Sequence, residues 1–270
     1  MVQEESTRIH AAVPRSIGGV LDDAIRLYRR SFSGLWPLTL AAAALIAIPG
    51  VFLGIQMAHV RALGPQAALA MMKLPGYWLS YAVMSLVYLV IHGALLSALN
   101  RFATRGELSI EDALGVGVRR LPSMVAVGFL LFLCIMVGLF LLIVPGIYVW
   151  GIFQLAFVAL IVEHAGITES FGVSRRLIKG HWWRSVTIVT VGIVIVSVFS
   201  LLAGVVNGVV VAVFRVDPIA VFVVQPVIGA VINVFMLSLL PSVLLCMYYD
   251  LKLRNEGQDL AARVGALAAQ

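Results

Sequence analysis

Charge is scarce in this chain. Only 12% of its 270 residues are Asp, Glu, Lys or Arg, roughly half the share found in an ordinary soluble domain. Hydrophobic residues make up 61% and mean hydropathy is +1.04, so a soluble globular domain is excluded. Cysteine is nearly absent as well. Cys134 and Cys246 stand alone inside apolar runs, which excludes a disulfide framework or a CxxC redox motif and makes both expected core thiols.

Catalytic signatures are missing too. There is no GxSxG, HExxH or P-loop, hence no recognisable nucleophile, zinc pair or phosphate cradle. Glu163-His164 and His181 bracket one basic segment without zinc-ligand spacing. No cofactor is implied and no enzyme is expected. The middles of the apolar runs contain no Asp, Glu, Lys or Arg, which disfavours proton-coupled transport. His92 is the one titratable group there and reads as a packed histidine. The first 34 residues carry Glu4, Glu5, Arg8, Arg15 and further charges with no apolar stretch ending in a small-residue site, so no removable signal peptide is expected.

What is present is length in apolar runs. Stretches long enough to cross a bilayer lie near residues 35–55, 77–99, 123–144, 147–162, 185–207 and 226–249. The fold expected is all-α: a polytopic membrane protein with six transmembrane helices. Gly204, Asn207 and Gly208 are candidate bends in the fifth. The third and fourth meet at Val144-Pro145-Gly146, a sharp corner; a re-entrant pair that stops short of the far side is the competing picture.

Sixteen of the nineteen Lys and Arg fall in alternate connections, at 1–34, 100–122, 163–184 and 250–270, against Arg61, Lys73 and Arg215 on the other side. The positive-inside rule then places both termini in the cytoplasm and the chain in a bacterial inner membrane. The net charge of +6 is thus accounted for without nucleic acid. Aromatics agree with two interfaces, Trp36, Trp182, Trp183, Tyr248 and Tyr249 at the inner and Tyr77, Trp78, Tyr148 and Trp150 at the outer level.

A device recurs three times. Aligning Ile17, Ile110 and Ile167 brings Leu21, Leu114 and Phe171 together four positions on, and Arg26, Arg119 and Arg176 nine positions on. At 100° per residue those arginines fall opposite the isoleucine, so three amphipathic interfacial helices are expected at about 16–31, 109–121 and 167–180. Ser16, Ser109 and Thr168 serve as candidate N-caps and Gly180 as the third end signal. Each unit then reads as an interfacial helix followed by a transmembrane hairpin, between a tail at 1–15 and a short tail helix over 251–270 marked by Leu260, Val264 and Leu267.

Candidate contacts for anionic headgroups or a cytosolic or membrane protein partner are Arg26, Arg119, Arg175, Arg176, Lys179 and Arg184. The polar side chains His92, Gln154, Asn207, Gln225 and Asn233 are candidates for a small cavity or for interhelical bonds, and Gly50-x-x-x-Gly54 and Gly204-x-x-x-Gly208 for close helix contact. The leading function is a membrane scaffold or anchor with a basic cytoplasmic face. A permease component or lipid-handling transporter with a polar cavity between the repeats is the alternative. Self-association into a homo-oligomer is compatible with either.

Three blocks carry a family look: Ser16-Ile-Gly-Gly-Val-Leu-Asp-Asp-Ala-Ile-Arg-Leu-Tyr-Arg-Arg30; Val144-Pro-Gly-Ile-Tyr148 through Glu163 to Ser174-Arg-Arg-Leu-Ile-Lys-Gly-His-Trp-Trp183; and Tyr248-Tyr-Asp-Leu-Lys-Leu-Arg-Asn-Glu-Gly-Gln-Asp-Leu260. Together they resemble the membrane-domain family named after glycerophosphoryl diester phosphodiesterases and related six-span bacterial inner-membrane proteins. The resemblance implies a multi-helix membrane module, fused in some members to a soluble phosphodiesterase. No stretch here could supply that catalytic barrel, so the activity is not expected to carry over.

Overall fold

The computed structural model describes residues 14–61, 73–213 and 218–268, with side chains outside 57–61, 218–224, 256 and 258–268. The tail before residue 14 and Arg215 thus lie outside what is described; the tail helix expected over 251–270 is continuous with the last span rather than separate, and only the side chains of its markers Leu260, Val264 and Leu267 lie outside. Among the described residues the secondary structure is all helical: α1 (Ile17–Arg61), α2 (Pro75–Arg105), α3 (Ile110–Leu141), α4 (Ile143–Phe153), α5 (Ala156–Val162), α6 (Ile167–Ile178), α7 (Trp182–Val213), α8 (Pro218–Met236) and α9 (Leu239–Ala268). Six stretches are long and apolar enough to cross a membrane, and the chain is a multi-pass membrane protein.

The threefold register is visible in the backbone, since α1, α3 and α6 begin at Ile17, Ile110 and Ile167. Burial follows it. Three positions on, Val20, Ala113 and Ser170 are buried; seven on, the small residues Ala24, Gly117 and Ser174 are buried; nine on, Arg26, Arg119 and Arg176 are exposed. Caps explain the starts. Ser16 Oγ accepts from Gly19 N at 3.1 Å and Ser109 Oγ from Asp112 N at 3.4 Å, each filling one free amide of a first turn. Thr168 plays no such part, because Gly166 is the third N-cap and Glu169 Oε2 reaches back to its N–H at 3.1 Å.

The first two copies differ from expectation in one respect. No break separates the amphipathic turn from the apolar span; the backbone runs unbroken through α1 and α3, with Pro37, Pro49 and Pro122 inside. Only the third copy is divided, where Gly180 takes φ +83° between α6 and α7, a left-handed angle that glycine adopts at no steric cost.

Helix breaks also fall elsewhere than at Gly204, Asn207 and Gly208, over which α7 is continuous. They occur at Gln154–Leu155 and Leu237–Ser238, each inside an apolar run. The corner between α3 and α4 is at Leu142, with φ −170° and ψ 155°. Pro145 therefore sits in the first turn of α4, where its missing N–H removes no helical bond. Gly146 lets Gly138 approach so closely that a Cβ there would lie 2.8 Å from its Cα.

The core gathers at one end. It is built by Val20 to Ala43 of α1, Ile91 to Ala103 of α2, Ala113 to Val127 of α3, α5, the buried face of α6, Ile188 and Val189 of α7, and Leu239 to Leu251 of α9. Toward the other end α1, α7 and α8 expose Leu45, Phe52, Leu201, Val206, Val227 and Val231, apolar surface suited to lipid. Cys134, expected in the core, is exposed on α3, whereas Cys246 is half-buried.

Candidate functional site

Residues 248–255 of α9 form the polar centre of the packed end. Asp250, with its side chain 4% exposed, accepts from Arg15 N at 2.8 Å, from Arg184 Nη2 at 2.9 Å and Nε at 3.2 Å, and from Arg254 Nε at 2.9 Å. The two guanidiniums also donate to the Arg15 carbonyl, at 2.7 and 2.5 Å. One carboxylate thereby ties the segment before α1 to the starts of α7 and the end of the apolar part of α9. A buried carboxylate holds its charge only with such partners.

Neighbours on the other face repeat the pattern. Tyr248 donates to Glu163 Oε1 at 2.5 Å, and Lys252 Nζ lies 3.2 Å from the same oxygen. Burial alone would raise the Glu163 carboxyl, but the Tyr248 hydroxyl, Lys252 and the more distant Arg176 outweigh it and hold the group below the usual carboxylate range. Tyr249 donates to Asn100 Oδ1 on α2, and Asn255 Nδ2 to the Leu177 carbonyl of α6 at 3.2 Å. Arg101 and Asp112 pair at 2.6 Å across the α2–α3 connection. His181, between α6 and α7, is lowered by partial burial first and then by Arg254 and Arg184, against a smaller pull from Asp250.

The starts of the three repeat helices thus meet at one polar end. Arg26, Arg119, Arg175, Arg176 and Lys179 are exposed there, although Arg119 Nε also bonds its own helix at Gly115 O, 3.0 Å away. Arg184 is different, being half-buried and committed to Asp250. Sequence reasoning assigned no role to Asp250, Glu163 or Arg15. The available signal was a lone acid closing an apolar run, followed by Lys252 and Arg254.

The polar candidates inside the apolar segments do not converge. Gln154 is buried at the α4–α5 break with both amide atoms unpaired, Asn207 lies on α7, and Gln225, which is exposed, and Asn233 lie on α8. His92 is held between the rings of Tyr88 and Phe157, each with its centroid 5.9 Å away. Gly204 and Gly208 face open space, while Gly50 does meet a neighbouring helix at Pro226. Among the described residues no group of His, Cys, Asp or Glu could hold a metal ion.

Ser174 of α6 fastens the third copy to the α4–α5 break, donating to Ile152 O at 2.7 Å and accepting from Leu155 N at 3.2 Å. Gly151 then packs on the start of α7; a Cβ there would fall 2.5 Å from Trp182 Nε1 and 2.9 Å from Val186. Tyr148, expected at the outer level, touches Trp182, expected at the inner one, with ring centroids 5.6 Å apart.

A family model described as a domain of unknown function, DUF7847, matches residues 23–250. No curated protein and no solved structure matches the chain. The match begins within the first repeat helix, covers the other two repeats and ends on Asp250; it carries no link to the glycerophosphoryl diester phosphodiesterase membrane domains.

Proposed function

The chain belongs to the DUF7847 family, and from the geometry above we propose that it is a non-enzymatic scaffold or anchor of the bacterial inner membrane. Its basic end faces the cytoplasm and engages anionic headgroups or a cytosolic partner. The observation that carries this reading is the outward arginine of each repeat, Arg26, Arg119 and Arg176, around a polar end where Arg184, Arg254 and Lys252 are instead paired internally with Asp250 and Glu163. A cation whose only task was to fix topology would not need the same helical angle three times.

The scattered positions of Gln154, Asn207, Gln225 and Asn233 favour the scaffold over a permease, which needs polar groups facing one passage. Fluorescent phosphatidylglycerol binding to the purified full chain tests the proposal. Affinity is expected to fall from low to high salt and to fall again in the triple variant Arg26→Gln, Arg119→Gln, Arg176→Gln. Binding indifferent to both defeats the headgroup reading.

A further inference from the structure

We propose that the groove between α1, α7 and α8 is a binding site for an anionic phospholipid, one acyl chain lying in the groove and the phosphate resting at Arg29. The groove encloses about 770 Å³, within the roughly 300–1,000 Å³ of ordinary ligand sites. Its walls are apolar, with Ile195, Phe199 and Val206 from α7 and Ile228 and Phe235 from α8. Among the described residues, Arg29 and Tyr28, adjacent on α1, supply its only polar side chains. Arg29 is exposed and lies one helical turn beyond Arg26, on the basic end of the bundle.

Length fits one leaflet. From Ile195 to Val206 a helix rises about 16 Å, roughly half of a 30 Å hydrocarbon core. Discrimination must come from the cation, because a lipid tail leaving bulk lipid for an apolar groove gains little from the hydrophobic effect.

A second groove provides the internal contrast. It shares Val231 and Phe235 with the first, encloses about 670 Å³, and is lined from Leu40 to Val51 of α1 and by α8 with no charged or polar side chain among the described residues. It offers equal greasiness and no anchor. The lipid assigned to Arg29 is consequently held at a place distinct from the Arg26, Arg119 and Arg176 surface, and the inference goes beyond that surface.

Native mass spectrometry of the full chain in detergent, titrated with phosphatidylglycerol and with phosphatidylcholine of identical acyl chains, tests this. One retained lipid is expected to prefer the anionic headgroup by about five-fold, the effect of one cation near an acidic surface. Arg29→Gln is expected to abolish the preference and keep neutral-lipid binding. Filling the groove with Ala203→Trp, or with Val206→Trp should the first fail to fold, is expected to remove the retained lipid, whereas Ala47→Trp in the second groove leaves it. Equal retention of the two headgroups, or unchanged retention in the filled variant, overturns the site. If the Arg26, Arg119 and Arg176 triple variant loses the preference and Arg29→Gln keeps it, the basic-face proposal survives and this one fails.

Discussion

Trp182 Nε1 donates a hydrogen bond to the backbone carbonyl of Tyr148, 3.3 Å away. Trp182 opens α7 two residues before Arg184, which is fastened to Asp250. Glu163, at the other end of the α4–α5 segment, is bonded to Tyr248 and Lys252, on either side of Asp250. Both ends of the segment 148–163 are therefore held at the same polar end of the bundle. A segment crossing a hydrocarbon core about 30 Å thick would put one end on each side. The α3–α4–α5 hairpin is arranged as a re-entrant pair would be, with an apolar corner at which Phe140 is 93% exposed.

Topology can be read by labelling. With Cys134 replaced by serine, a cysteine placed at Leu142 is expected to resist a membrane-impermeant maleimide added from the periplasmic side of intact cells. A cysteine at Lys73, in the connection between α1 and α2, is expected to react. Ready labelling at position 142 would show that the hairpin crosses.

Gly117 is a close contact between α2 and α3. A Cβ there would overlap the Val90 carbonyl oxygen and lie 3.2 Å from Ala94 N, and backbone atoms cannot swing aside. Gly117→Ala is expected to cost about 1–3 kcal/mol by overpacking, seen as a lower melting temperature in detergent. Gly204→Ala, which meets open space, is expected to leave the melt unchanged or raise it slightly.

Asp250 is expected to be the most sensitive charged position. Asp250→Ala leaves the partly buried guanidiniums of Arg184 and Arg254 facing each other, and removing one partner of a buried ion pair costs about 3–5 kcal/mol. Arg184→Gln in the same background is expected to recover part of the loss. Additive losses in the double variant would show that the two side chains are not coupled.

Acid sensitivity has two windows. The His181 value is depressed, so the unfolded chain takes up its proton first, and stability falls as pH drops below the unfolded value of about 6.5. Glu163 is also depressed but is a carboxylate; its contribution is present above about 4.3 and is lost as pH falls through the lower folded value. Melting temperature against pH should flatten between about 7 and 5 in His181→Gln, and below about 4.5 in Glu163→Gln. An unaltered profile in either variant would remove that group from the account.

The amino-acid sequence by itself determined that the chain is helical, that lipid surrounds it, and where three of its helices begin. Those properties are local: an apolar run, a serine cap or a 100° period is complete within a few turns, so Ile17, Ile110 and Ile167 mark their helix starts without knowledge of the rest. Tertiary structure alone decided which groups meet. Arg15 and Asp250 are 235 residues apart, Tyr148 finds Trp182 rather than the far interface, and the break at Gln154 depends on Ser174 arriving from another helix. Each pairing is selected by how helix faces fill space against one another, and no one-dimensional pattern contains that information.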